Sequence, residues 1–278
     1  MKFCLCNEMF EGWEFPKVCA EAKKAGYGAV EIAPFTLGKL ADQVTPAERA
    51  SLRKSASDAG VEIAGLHWLL AKTEGLHVNH PERAVRDRTA DYLRHLTDLC
   101  ADVGGKIMVF GSPNQRSICK GLTQQQAWGY AVETFYRLTP KLEERGVTLC
   151  LEPLAPEETD FLNTAADAAR MIREVGSKSF QLLLDVKAMS SEHTPIPDII
   201  RANRAVLKHF HANDANKRGP GFGDTDFRPI AAALKEINYR GWVSVEVFDF
   251  KPDPVTIATR SIEYLKKVFA QTNPRSAQ

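Results

Sequence analysis

The sequence predicts an α/β fold, a single-domain (β/α)8 TIM barrel, from three observations. Eight short β-branched or apolar runs alternate from end to end with longer segments of helical period. The chain has 278 residues, a length at which an eight-unit barrel folds as one domain. No G-x-G-x-x-G or Walker A sequence follows any run, which removes the nucleotide-binding form of an open sheet. The barrel is assigned residues 1–272, and 273–278 are read as a frayed tail.

The candidate strands, in order, are Phe3 to Phe10, Ala29 to Ala33, Val61 to Leu69, Lys106 to Gly111, Val147 to Glu152, Phe180 to Val186, Leu207 to Ala212 and Trp242 to Val247. Segments such as 16–28, 45–60, 82–105 and 123–146 lie between them. Most begin near a Pro, Ser, Thr or Asp start signal, carry apolar residues at i, i+3, i+4 spacing, and stop at Gly26, Gly60, Gly104 or Gly146. Two connections are long, 68–85 after the third strand and 213–230 after the seventh, and long βα loops in a barrel tend to lie over the active site.

Composition narrows the function. The net charge is +1, which offers no electrostatic footprint for nucleic acid or anionic lipid. The start MKFCLCNEMF lacks a signal-peptide core, and no apolar run approaches about 18 residues. The expectation is a soluble cytoplasmic protein with no nucleic-acid or membrane partner. Six scattered cysteines form no C-x2-C pair and are read as reduced, mostly buried thiols; Cys4 and Cys6 are taken as small interior fillers.

Residues at the C-terminal ends of parallel barrel strands converge on one mouth. The fifth strand ends at Glu152, the sixth at Asp185, the seventh presents His211 and the eighth Glu246. Three carboxylates there would repel one another, and burying each is costly unless it is paired or coordinates a cation. Three carboxylates with one imidazole suit Mn2+ first, then Mg2+ or Co2+, with Zn2+ a further candidate. Singly, each residue has another reading: a strand-end acid as a helix N-cap or ion-pair partner, a histidine as a hydrogen-bonded core residue. The fourfold recurrence on successive strands favours the metal.

The runs LEP at 151–153, LLLDV at 182–186, HFHAND at 209–214 and SVEVF at 244–248 resemble the metal-binding strand ends of the xylose-isomerase-like sugar phosphate isomerase/epimerase superfamily. Within it, the chain is most similar to ketose 3-epimerases of the D-tagatose or D-psicose type. GYGAVEI and FGDTDF extend the similarity over essentially the whole chain. The resemblance implies an isomerase acting on a free or modified sugar, by proton abstraction and return through a metal-stabilised enediolate, with Glu152 and Glu246 as acid and base as well as ligands. It also implies substrate contacts at Glu158 and at Lys217 or Arg218, with His67 as a pocket residue or a partner standing behind the pocket; a solvated loop is the other reading for Glu158, Lys217 and Arg218, and a hydrogen-bonded core histidine for His67. Phe248 should share the strand face of Glu246 and wall the sugar, or else belong to the core. Homodimers or homotetramers follow from the same resemblance.

The family's D-x-x-H run after the sixth strand is Asp185-Val-Lys-Ala188 here, which removes a histidine contact to substrate and introduces Lys187 as a candidate contact. Pro113 stands where an aromatic residue is usual. The sugar is therefore left open, and a keto-sugar or keto-inositol dehydratase or lyase on the same metal site is the alternative. An endonuclease-IV-like phosphodiesterase would need a histidine-rich centre and a basic face, which seven histidines and a balanced charge do not suggest. A non-catalytic sugar sensor would be expected to have lost a ligand.

Overall fold

A computed structural model describes residues 1–272, so the tail assigned to 273–278 lies outside the described residues. Eight parallel strands close into a barrel in sequence order, β1 to β8. They are β1 Lys2–Cys6, β2 Ala29–Ile32, β3 Glu62–Leu66, β4 Ile107–Phe110, β5 Thr148–Leu151, β6 Phe180–Asp185, β7 Leu207–Ala212 and β8 Trp242–Val245. The helices outside them are α1 Phe15–Ala25, α2 Pro46–Ala59, α3 Arg83–Asp102, α4 Gln124–Tyr136, α5 Thr139–Arg145, α6 Ala165–Val175, α7 Val186–Met189, α8 Ile196–Ala202, α9 Phe227–Glu236 and α10 Pro254–Gln271. Among the described residues, no helix is long and apolar enough to cross a membrane.

Local chemistry explains where elements start and stop. In α2, Thr45 accepts from the Glu48 amide while the Glu48 carboxylate accepts from the Thr45 amide, a reciprocal capping box. The helix ends at Gly60, whose φ of 72° suits glycine. The single helical segment expected over 123–146 is two helices, because Pro140 has no N–H to continue α4 and instead opens α5. The first strand is shorter than its apolar run. Asn7 leaves the extended conformation, and its side chain accepts from the Ala33 amide at 2.7 Å, so Glu8–Phe10 form a helical turn instead.

Alternation along the strands divides the core. Phe3 and Leu5, Met108 and Phe110, and Phe210 join the large cluster packed between barrel and helices. Their neighbours face inward: Ile107, Val109, Cys150 and Leu183 form one apolar group, and Cys4, Ala29 and Ala64 another against Trp242. Cys4 and Cys6 are fully buried fillers, as expected. Glycine at 65 is a packing requirement, since a Cβ there would strike the Ile107 carbonyl where β3 meets β4. Inward positions on β2, β7 and β8 are polar instead: Glu31, His209, His211 and Ser244 are all wholly buried.

Candidate metal centre

The four strand-end residues meet. Glu152, Asp185, His211 and Glu246 each offer a ligand atom, and these atoms lie within 4.8 Å of one another. The register delivers them: Asp185 pairs with His211 across β6 and β7, while the amides of Glu152 and Glu246, just past their strands, continue the ladder to Phe110 and Ala212 at 3.1 and 3.3 Å. Gly111, at the β4 exit, leaves the space the Glu152 carboxylate fills; a Cβ there would strike that carboxylate first.

Asp185 fills the N-cap role weighed for it while its carboxylate stands in the cluster. One oxygen caps α7 by accepting from the Ala188 amide at 2.8 Å, and the other accepts from the Asn213 side chain. Asn213 also accepts from the Lys187 amide at 2.8 Å. Fully buried Arg116 locks the next pair of strand exits, donating to the carbonyls of Glu152 and Phe110 at 2.6 and 2.7 Å. Burial pulls its guanidinium down to about 10.

Electrostatics favour a cation at this point. Burial, then the charges of Glu246 and Asp185, push the Glu152 carboxyl well above the usual range. Burial and Glu246 raise Asp185 to about 6. Burial alone would raise Glu246 as well, but the His211 ring and the Trp68 indole N–H outweigh it and hold it low. Three carboxylates that cannot all ionise together, around one imidazole and with no thiolate, fit a hard divalent ion.

His211 lies between two carboxylates, with Nδ1 3.0 Å from Glu246 Oε2 and Nε2 3.1 Å from Glu31 Oε1. Glu31 also meets His209 Nε2 at 2.8 Å and accepts from Ser244 Oγ at 2.8 Å. A second buried pair joins His67 Nε2 to Glu8 Oε2 at 2.9 Å, and the other Glu8 oxygen accepts from the Val247 amide at 3.0 Å.

Above the cluster is a cavity of about 290 Å3, lined by Trp68, Gly111, Glu152, Glu158, Glu246 and Phe248 among others. Larger clefts at the opposite mouth, such as one of about 440 Å3 around Lys106, Lys208 and Arg240, contain none of the four ligands. The candidate substrate contacts divide. Glu158 lines the cavity, and its Oε1 is 2.7 Å from Lys187 Nζ, which lies 4.2 Å over the Phe248 ring. Phe248 reaches the cavity by a different route from the one expected, for β8 ends at Val245 and the Phe248 amide donates to the Lys217 carbonyl at 2.9 Å. His67 and Trp68 likewise lie beyond β3, which ends at Leu66. His67 is buried against Glu8 rather than lining the cavity. Lys217 is exposed, and Arg218 pairs with Asp249 at 2.9 Å, so both brace the loop after β8 and neither lines the cavity. Glu31, Asn213, Arg116 and Trp68 carry no signal in the sequence that singles them out.

The model of the xylose isomerase-like TIM barrel family matches residues 19–268. The chain belongs to that family. Its relatives include the D-psicose 3-epimerase of Agrobacterium fabrum, 30% identical over 84% of this chain and 80% of that protein. The L-ribulose 3-epimerase of Mesorhizobium japonicum is 26% identical over 84% of this chain and 76% of its own length. Among solved structures, an L-ribulose 3-epimerase superposes with a TM-score of 0.85 at 20% identity, covering 98% of this chain and 96% of that one. This xylose isomerase-like barrel therefore shares its architecture with sugar epimerases along nearly its whole length.

Proposed function

We propose that the protein is a divalent-metal-dependent sugar epimerase of the ketose 3-epimerase kind, with Mn2+ as its ion. The single observation that carries the reading is the convergence of Glu152, Asp185, His211 and Glu246 beneath a cavity sized for one sugar unit. A cation held by these four would supply Lewis acidity, polarising the carbonyl next to the carbon that loses its proton.

The chain's own groups do the rest. Glu152 and Glu246 both line the cavity, so one carboxylate takes the proton and the other returns it to the opposite face. Glu158 and Lys187 form a fixed donor–acceptor pair for sugar hydroxyls. The Phe248 ring, stacked on Trp68 at 5.8 Å, gives an apolar face for the carbon skeleton.

Incubating D-psicose, D-tagatose and L-ribulose with the Mn2+-loaded protein in D2O tests this. The expected result is deuterium at the carbon beside the carbonyl and a product of unchanged covalent skeleton. Loss of water or of a glycosyl group would move the protein to lyase chemistry. Glu246→Gln should abolish exchange, and exchange that persists at the wild-type rate removes Glu246 from the acid–base pair.

A further inference from the structure

Trp68 follows β3 with a φ of 50°, a left-handed conformation that a bulky residue adopts only when its surroundings hold it there. Its indole Nε1–H donates to Glu246 Oε1 at 2.7 Å. The two oxygens of Glu246 are thereby divided, since Oε2 is the one that faces His211 Nδ1. The same ring stacks on Phe248 at 5.8 Å with an interplanar angle of 21° and packs against Phe35 at 5.7 Å. Lys187 lies over Phe248 at 4.2 Å and Lys72 over Phe35 at 4.3 Å, so each of the two rings beside Trp68 carries an ammonium. Half-buried Trp68 lines the cavity next to Glu246.

We propose that Trp68 is a positioning and specificity-determining residue: its N–H fixes Glu246 through Oε1 for proton transfer, and its ring sets the apolar wall against which a ketose lies. The inference rests on the acid–base role given to Glu246. A free carboxylate rotates about its terminal torsion; one tethered at Oε1 by an indole and at Oε2 by an imidazole does not. The ring and the N–H are separable, and the two parts of the proposal fall on different kinetic constants.

Two variants separate them. Trp68→Phe keeps a stacking ring without the donor; Trp68→Gln keeps an amide donor without the ring. With Mn2+-loaded protein and the ketose that exchanges fastest in D2O, Trp68→Phe is expected to lower kcat by about ten- to a hundredfold with KM near wild type, from the loss of one hydrogen bond to a charged group. Trp68→Gln is expected to raise KM instead. Mn2+ affinity and the thermal transition should stay near wild type in both. A wild-type kcat in Trp68→Phe overturns the proposal, and so does loss of Mn2+ binding or of the folded transition, which would give the ring a purely structural role. A spectrum independent of turnover accompanies this. Of the four tryptophan indole N–H signals, the one missing in Trp68→Phe should lie downfield in the wild type and move in Glu246→Gln. If it does not move, the contact is not made and the proposal fails. If wild-type protein exchanges no ketose, the epimerase reading fails, and the indole signal still decides whether Trp68 holds Glu246.

Discussion

Glu31 is a carboxylate with no solvent around it, held by three side chains that arrive from β7 and β8, His209, His211 and Ser244. Burial pushes its carboxyl up, but the two imidazoles outweigh that and hold it well below the usual range. Burial pulls the His211 imidazole down, but Glu246 and Glu31 on either side outweigh that and hold it well above its ordinary value. With an ion on the Nδ1 side, ionised Glu31 would keep the remaining proton on Nε2 and free Nδ1, the arrangement a ligating histidine needs. Glu31→Gln preserves the volume and removes the charge. It is expected to weaken Mn2+ binding by about 10- to 100-fold, measured by calorimetric titration, with the barrel still folded; unchanged affinity would leave Glu31 as core polarity only. Nothing in the sequence near Glu31 announces this role, because its partners His209 and His211 lie 178 and 180 residues away. The four clustered residues were legible because each stands at or just past the exit of its own strand, whereas Glu31, Asn213 and Trp68 touch the cluster from other elements.

Strand exits are the elements that decide the site. β4 contributes no ligand, yet its exit shapes the one from β5: Gly111 leaves room for the Glu152 carboxylate, and Arg116 ties the carbonyls of Phe110 and Glu152 together. The atoms nearest to a Cβ at Gly111 all belong to that carboxylate. Gly111→Ala is therefore expected to displace Glu152 while leaving the stability of the metal-free barrel within about 1 kcal/mol of wild type. The deuterium-exchange rate should fall about a hundredfold, the scale of a misplacement of about 1 Å in a reacting group. An exchange rate equal to wild type would show that Glu152 tolerates the shift and is not placed by β4. Strand and helix identities followed from hydrophobic period, and their ends were the less legible part. Apolar runs continue past β1 and β8 because the chain stays buried after it stops being a strand, as Glu8–Phe10 and Glu246–Val247 do.

For the whole molecule, the closed barrel concentrates three carboxylates at one mouth while the net charge of the chain is only +1, so the repulsion is local and a bound cation would relieve it. Saturating Mn2+ at about 100 times its Kd should add about 2.7 kcal/mol of stability, which for a chain of this size raises Tm by about 5–10 °C. The effect depends on pH with a sign fixed by Asp185. Its folded-state carboxyl titrates at about 6, above an unfolded carboxylate. The metal-free fold therefore binds more protons than the unfolded chain in this window, gaining stability as pH falls through about 6 and losing it as pH rises through the same value. Mn2+ must displace that proton, so its affinity falls as pH falls. The gap in Tm between metal-loaded and metal-free protein should be widest near neutral pH and narrow toward pH 5. Thermal scans with Mn2+ or a chelator, at pH 5, 6 and 7.5, measure it. Asp185→Asn should erase the gap at every pH, and Glu158→Gln, outside the ligand set, should keep it. A gap that survives in Asp185→Asn would place the ion elsewhere in the barrel.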